Sequence, residues 1–420
     1  MKFLHTADWH VGKTLKGRDR LDEQRAVLAE IASIAEANEV DAVLVAGDVY
    51  DLSAPSAPAQ HAVVQALLRM RRTGAEVIVI AGNHDHGPTF DAYRPLMNVA
   101  GITLVGTVRS AANGGLVHFK ARSDGADTQV AVLPFLSQRW AVRAAEIVAN
   151  TPAENVRAYD EQVRQVITSL TGGFSGDTVN LVMSHITCIG GKFGGGERSA
   201  QSIFEYSVPA SVFPVSAHYV ALGHLHRRQA LPAPAPVHYS GAPLAVDFGE
   251  QDNTSVVCLV EATPGTPARI TDIPVTSGRR LRTVHGTLAE LEARSGDFGD
   301  DYLRVYLRER TRAGLRDDAL EILPNALEVR IDPEFAPEAP AASGSADPRT
   351  ARTPGQLFAD YCATRDVSDA RVATLFGALH DEVTATDGAD GAGAGGASLE
   401  GASVKGASVK GASAELSPAG

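Results

Sequence analysis

Five strand-length apolar runs punctuate residues 1–275: Lys2–His5, Ala42–Val45, Val77–Ile80, Asn180–Met183 and Tyr219–Leu222. Amphipathic stretches with helical spacing separate the early ones. Within Asp22–Ala37, the residues Leu28, Ile31, Ile34 and Ala35 share one helix face with Leu21 just ahead, and Ala59–Arg72 shows a similar pattern. Runs apolar on both faces, alternating with helices, predict an α/β fold around a buried central sheet. Asn113-Gly114, between Ile102–Val108 and Leu116–Phe119, predicts a hairpin turn and an added strand pair.

The pattern changes after residue 275. In residues 276–333, strand-like runs (Leu281–His285, Tyr302–Leu307, Ala326–Ile331) alternate with helix-like ones (Leu288–Arg294, Leu315–Leu323), which predicts a small α/β domain. Residues 334–355 are rich in Pro, Ala and Ser and read as a linker. In residues 356–384, Leu357, Phe358 and Tyr361, then Val367, Val372, Leu375, Phe376 and Leu379, are spaced for one or two short amphipathic helices. Residues 385–420 are dominated by Gly, Ala and Ser, with Gly-Ala-Ser-Val-Lys repeated at 401–405 and 406–410; such a tail has little to bury and is expected to be disordered.

Composition narrows the class. The 420 residues are 44% hydrophobic, enough for a substantial core, and too many for a single domain of ordinary size. Three separated cysteines (Cys188, Cys258, Cys362) make neither a disulfide framework nor a thiolate zinc site. No run approaches the ~18 apolar residues of a membrane span, and the N-terminus turns polar too early for a signal peptide. A reduced, cytoplasmic protein is expected. The net charge of −12 argues against a chain that grips nucleic acid by bulk electrostatics alone, though not against local patches, metal ions or a partner.

The chemistry sits at the ends of the five runs. They are followed by Asp8-Trp9-His10, Gly47-Asp48, Gly82-Asn83-His84-Asp85, Ser184-His185 and Gly223-His224-Leu225-His226. Ligands of open α/β sheets bind beyond the carboxyl ends of strands. Asp8-x-His10 read as extended chain would put both side chains on one side. Alone, each piece has a bland reading, such as a turn aspartate or an incidental histidine. Together they give carboxylates, one amide and four imidazoles, too many for one ion and suited to two that share a carboxylate. With no thiolate, the set favours Mn²⁺, Fe²⁺ or Zn²⁺, and phosphoester hydrolysis follows as the reaction class. Gly190-Gly191-Lys192 and Gly194–Gly196 miss the nucleotide-loop spacing and read as a flexible loop, so no nucleotide site is expected here.

These motifs, in this order, resemble the calcineurin-like metallophosphoesterases. Longer strings, His5–Lys13, Val45–Asp51, Ala221–His226, Tyr239–Leu244 and Asp247–Glu250, are similar to the Mre-type DNA nucleases, in the branch formed by the nuclease components of bacterial SbcCD complexes. The resemblance covers roughly residues 1–275, and more loosely the small domain as a capping domain. It implies a sandwich of central β-sheets flanked by helices, with two divalent ions, usually Mn²⁺. Asp8, His10, Asp48 and His226 would hold one ion; Asp48, Asn83, His185 and His224 would hold the other. His84 would contact the phosphate and protonate the leaving oxygen, with Asp51 orienting it or shaping the pocket. The implied activity is 3′→5′ exonuclease on duplex ends and endonuclease on single strands or hairpins, in DNA end processing, replication and recombination. The implied partners are DNA, an SbcC-type coiled-coil ABC ATPase docked by the helices of 356–384, and a second copy of the chain. Lys13, Lys16, Arg18 and Arg20 are the candidates for the DNA backbone, against a solvated-loop reading. A metallophosphoesterase of another substrate class and a non-catalytic scaffold stand as alternatives; the intact ligand set counts against the second.

Overall fold

The computed structural model describes residues 1–137, 152–197 and 207–335, together with Phe358, Cys362, Val372 and Phe376. The chain divides into two units, Met1–Pro337 and Glu338–Gly420. In the second unit the four described residues are helical, and the Phe358 and Phe376 rings stack 4.0 Å apart. The linker and tail expected at 334–355 and 385–420 lie almost wholly outside the described residues.

The first unit begins with β1 (Lys2–Thr6), α1 (Leu21–Ala37), β2 (Ala42–Val45), α2 (Ala57–Arg72), β3 (Glu76–Ile80), α3 (Gly87–Val99) and β4 (Ile102–Val105). Strands β5 (Leu116–Lys120) and β6 (Asp127–Leu133), α4 (Pro152–Thr171), β7 (Val179–His185), β8 (Thr187–Cys188) and β9 (Ser207–Val208) follow. Next come β10 (Tyr219–Gly223), β11 (Gln229–Leu231), β12 (Val237–Tyr239), β13 (Val256–Thr263) and β14 (Thr266–Pro274). The last elements are β15 (Leu281–Gly286), α5 (Leu288–Ala293), β16 (Tyr302–Leu307), α6 (Leu315–Ile322) and β17 (Ala326–Ile331).

The five apolar runs are strands, but they do not share one sheet. Six strands in the order β14-β13-β1-β2-β3-β4 form a first sheet, and β11-β12-β10-β7-β6-β5 form a second. Parallel pairing of β1, β2, β3 and β4 sends the carboxyl ends of β1–β3 the same way, and β10, β7 and β6 are likewise parallel. Each central strand is apolar on both faces because each face has a cover. Phe3, Leu44, Ile78 and Ile80 of the first sheet share a dry core with Val130, Val132, Leu181 and Met183 of the second. The opposite face of the first sheet packs on α1 and α2 through Leu28, Ile31, Val63 and Leu67. That of the second packs on α4 through Tyr159, Val163 and Ile167. The sandwich is therefore helix, sheet, sheet, helix.

The hairpin expected at Asn113-Gly114 is not formed. Strands β4 and β5 are edge strands of different sheets, and Asn113 ends a single 3₁₀ turn capped by Gly114 at φ 98°. A positive-φ glycine suits either structure, so the dipeptide does not discriminate between a hairpin and a crossing. The strand pair in this region is β5–β6, closed where Ala121 N–H donates to Ala126 O at 2.9 Å.

Residues 281–331 form a three-stranded parallel sheet, β15-β16-β17, whose α5 and α6 cover a separate core of Val284, Leu291, Leu303, Val305 and Leu315. Leu15, Phe248, Leu281 and Tyr302 form a further small apolar cluster that joins this sheet to the first motif loop. Among the described residues, no helix is long and apolar enough to cross a membrane.

Candidate metal centre

Strand ends from both sheets converge on one buried cluster. Three overlapping groups lie within ligand distance: Asp8, His10 and His226; His10, Asp48 and His84; and Asp48, His185 and His224. Register explains part of this: Gly223 pairs with His185 across β10 and β7, which places His224 one residue beyond its neighbour. Asn83 joins through its Oδ1, 2.9 Å from His185 Nε2 and 2.8 Å from His224 Nδ1. Every residue expected to ligate metal is thus brought together.

The chain reaches this geometry by leaving the extended conformation. Asp8-x-His10 is not a strand segment: β1 ends at Thr6, and Asp8 and His10 have φ of 55° and 45°. Asp48 (49°) and His224 (97°) are also in the left-handed region, so four of the six described non-glycine residues with positive φ belong to the cluster. Each such residue costs free energy and persists only where its surroundings hold it. Here the backbone is held by hydrogen bonds: Asp8 N–H to Gly47 O and His10 N–H to Asp48 O, both 3.0 Å. The glycines of the motifs are required by close approach. A Cβ on Gly47 would lie 2.3 Å from His185 Nδ1, and one on Gly223 would lie 2.0 Å from Ala46 O.

Behind the ligands, further groups fix their orientation. Asp8 Oδ1 accepts from His224 N–H at 2.9 Å, and Asp48 Oδ1 accepts from His84 N–H at 2.8 Å. His185 Nδ1 donates to Ala46 O at 2.8 Å, which turns its Nε2 toward Asp48 Oδ2, 3.4 Å away. His84 Nδ1 donates to Asp51 O at 2.7 Å, so the proton is fixed there and Nε2 faces the cluster, 4.0 Å from Asp48 Oδ2. Asp51 thus meets His84 through its backbone O, and its carboxylate, paired with Lys13 Nζ at 2.9 Å, also lies 3.7 Å from His84 Nδ1 and from His10 Nδ1.

Burial and neighbouring charges together set the charge states. It pushes Asp8 up to about 7 against the pull of His185 and His226. Burial would lower His185, but the Asp48 carboxylate overrides it and raises the ring to about 9. Burial likewise opposes charge on His226, and the Glu250 hydrogen bond raises it to about 9. Burial and the charge of His185 leave His224 at about 3. For Asp48, burial is outweighed by the surrounding imidazoles, His185 first, which hold it well below the usual carboxylate range.

The front of the cluster is unsatisfied. Asp8 Oδ2 is buried without a hydrogen-bond partner, and His10 Nε2 faces His226 Nε2 at 3.0 Å, while His10 Nδ1 lies 3.7 Å from Asp51 Oδ1. Imidazole nitrogens and carboxylate oxygens converging in a buried space suit cations between them. The set of oxygen and imidazole donors without thiolate fits a pair of divalent ions.

Four further side chains support the cluster from behind, and two of them, Gln24 and Glu197, belong to no motif in the chain. Gln24, on the buried face of α1, accepts from Gly12 N–H at 2.9 Å and donates to His10 O and Lys13 O, pinning the first motif loop. Asp85 accepts from Val49, Tyr50 and Gly82 N–H at 3.1, 3.0 and 2.9 Å, tying the loops after β2 and β3. Glu250 and Glu197 lie against His226. Only Asp85 and Glu250 stand inside recognisable strings. The glycines 194–196 are packed rather than free: a Cβ on Gly194 would lie 2.8 Å from His226 Cβ, which corrects their reading as a flexible loop.

The basic segment is dispersed. Arg20 is buried, donating to Glu23 and to Ala245 O at 2.6 Å each, so its guanidinium is withdrawn from any phosphate. Lys13 pairs with Asp51, and Lys16 lies 3.6 Å from Glu328. Arg18 is exposed.

Comparison with known proteins agrees with this geometry. The calcineurin-like phosphoesterase family matches residues 1–228. The SbcD component of the SbcCD nuclease of Bacillus subtilis is 37% identical over 285 residues, covering 67% of this chain and 71% of the relative. Its counterpart in Rhodobacter capsulatus is 33% identical, covering 65% and 69%, and that of Escherichia coli is 28% identical, covering 71% and 74%. With the motif residues gathered into one two-ion cluster, the chain belongs to the calcineurin-like phosphoesterase family, as an SbcD-like metallophosphoesterase nuclease subunit.

Proposed function

We propose that this chain cleaves phosphodiester bonds in DNA, as a 3′→5′ exonuclease on duplex ends and an endonuclease on single strands and hairpins. It does so in the cytoplasm with an SbcC-type ATPase, in DNA end processing, replication and recombination. The observation that carries the reading is the shared carboxylate: Asp48 lies between His10 and His84 on one side and His185 and His224 on the other. Asp8, His10, Asp48 and His226 would hold one ion, and Asp48, Asn83, His185 and His224 the other, with Mn²⁺ the expected metal. Such a pair, when bound, supplies charge stabilisation at a phosphate and activation of water.

The protein's part is to place the phosphate and manage one proton. His84 keeps its Nδ1 proton on Asp51 O, and a second proton on Nε2 is passed to the leaving oxygen. Lys13, held by Asp51, and exposed Arg18 lie on the loop after the first motif and are available to steer the DNA backbone. The net charge of −12 favours a partner that supplies further DNA affinity. The relatives are named as subunits of a complex, which supports the same arrangement. A homodimer is supported by α3, which exposes Tyr93 (49%), Leu96 (66%) and Val99 (88%).

The test is cleavage of linear duplex and hairpin DNA with Mn²⁺, with and without the ATPase, beside His84→Ala. Metal-dependent cleavage that vanishes in the variant, and stimulation by the partner with ATP, are expected. Intact DNA with both subunits present, alongside hydrolysis of a small phosphodiester, would overturn the substrate assignment.

A further inference from the structure

We propose that Glu250 and Glu197 form a two-carboxylate brace behind His226 that fixes its tautomer and its position as a metal ligand. Glu250 is buried at 1% exposure, and its Oε1 lies 2.5 Å from His226 Nδ1. Its other oxygen accepts from Val246 N–H at 2.7 Å. With the Nδ1 proton committed to Glu250, the lone pair of His226 Nε2 faces His10 and Asp8.

Glu197 holds the main chain of the same residue. Its Oε1 accepts from His226 N–H at 2.9 Å and Gly194 N–H at 2.6 Å, and its Oε2 accepts from Gly195 N–H at 2.7 Å. The glycines let this segment close on the ligand, since a Cβ on Gly196 would lie 1.9 Å from Glu250 Oε1. Glu197, His226 and Glu250 are near enough to form a third ion site. The hydrogen bonds speak against that: both oxygens of each carboxylate are already engaged.

His226 differs here from its neighbours. His185 and His84 rest on backbone carbonyls, whereas His226 rests on a carboxylate. A carboxylate behind an imidazole raises its strength as a ligand, and loss of such a partner costs about 10–100-fold in metal affinity. The brace rests on the two-ion reading and predicts a selective effect on the ion that His226 holds.

The experiment is a Mn²⁺ titration of the metal-free chain by calorimetry, with electron paramagnetic resonance of the loaded protein. Wild type is compared with Glu250→Gln and with Glu197→Gln, the latter at a partly buried position outside the hydrophobic core. Wild type should take two ions with a spin-coupled spectrum. Glu250→Gln should weaken one ion about 10–100-fold, leave the other unchanged and shift the spectrum toward isolated Mn²⁺; Glu197→Gln should act on the same ion, less strongly. Variants that bind both ions as wild type does, or weaken both equally, overturn the brace. Three ions in wild type and two in Glu250→Gln would make Glu250 a ligand and overturn it too. Fewer than two ions in wild type would remove the two-ion reading itself.

Discussion

Loops leaving the first sheet bring Asp8, His10, Asp48, Asn83 and His84 to the candidate metal centre, while the second sheet brings His185 at the end of β7 and His224 and His226 on the loop after β10. Both candidate carboxylate ligands therefore come from the side of one sheet, and the other side offers only imidazoles. The second side has its negative charge one layer back, in Glu250 and Glu197 against His226. A centre between two sheets can thus divide its work: one side provides charge for the ions, and the other provides orientation for imidazoles. The division also places the shared ligand, since Asp48 Oδ2 lies 3.7 Å from His10 Nε2 in its own sheet and 3.4 Å from His185 Nε2 in the other.

The largest effect that can break this comparison is at Asp48. Asp48→Asn should abolish tight binding of both ions and hydrolysis together, as read by Mn²⁺ titration and phosphodiester turnover. Loss of one ion alone would show that the sheets do not share a ligand. Asp85→Ala tests the support of the first side: it leaves two buried and one partly buried backbone N–H groups without acceptors, at roughly 1–3 kcal/mol for each buried orphaned donor. Urea unfolding should show a loss of that order, and a stability unchanged from wild type would remove Asp85 as a support of these loops.

A pH series sharpens the contrast further. In the metal-free protein His185 and His226 are raised from the ordinary 6.5 to about 9. Their charged pairs with Asp48 and Glu250 stabilise the metal-free fold fully below about pH 6.5, and this is lost as pH rises through about 9. Metal needs both rings deprotonated, so divalent-ion affinity should rise across the same window, with proton release measurable by calorimetry in buffers of different ionisation enthalpy. Affinity independent of pH there would contradict the assigned pairs. The smallest effect is expected at exposed Arg18: Arg18→Ala should change stability by less than about 0.5 kcal/mol and leave metal binding intact. Its influence should appear only in the salt dependence of DNA binding.

The sandwich was legible where apolar patterning alone decides structure. Strands at Ala42–Val45, Tyr302–Leu307 and Ala326–Ile331 fall where the runs predict them. The division into two sheets was not legible, because β3 and β7 are both buried on either face and nothing in either run says which neighbour it pairs with. The candidate ligands were readable as residue types at or just beyond strand ends. Their geometry was not: Asp8 and His10 reach the cluster through left-handed backbone rather than the alternation of a strand. Gln24 and Glu197 stayed hidden for a simpler reason. Their partners are backbone N–H and C=O groups of loops, and no residue type announces those.

Two ions bridged by Asp48 between the sheets are what every role assigned above depends on. The most direct measurement is anomalous diffraction at the manganese edge from crystals of the Mn²⁺-loaded chain. Two peaks about 3.5–4 Å apart are predicted, one beside Asp8, His10 and His226 and one beside Asn83, His185 and His224, with Asp48 touching both. A single peak, or a second one seated between Glu197 and Glu250, would contradict it.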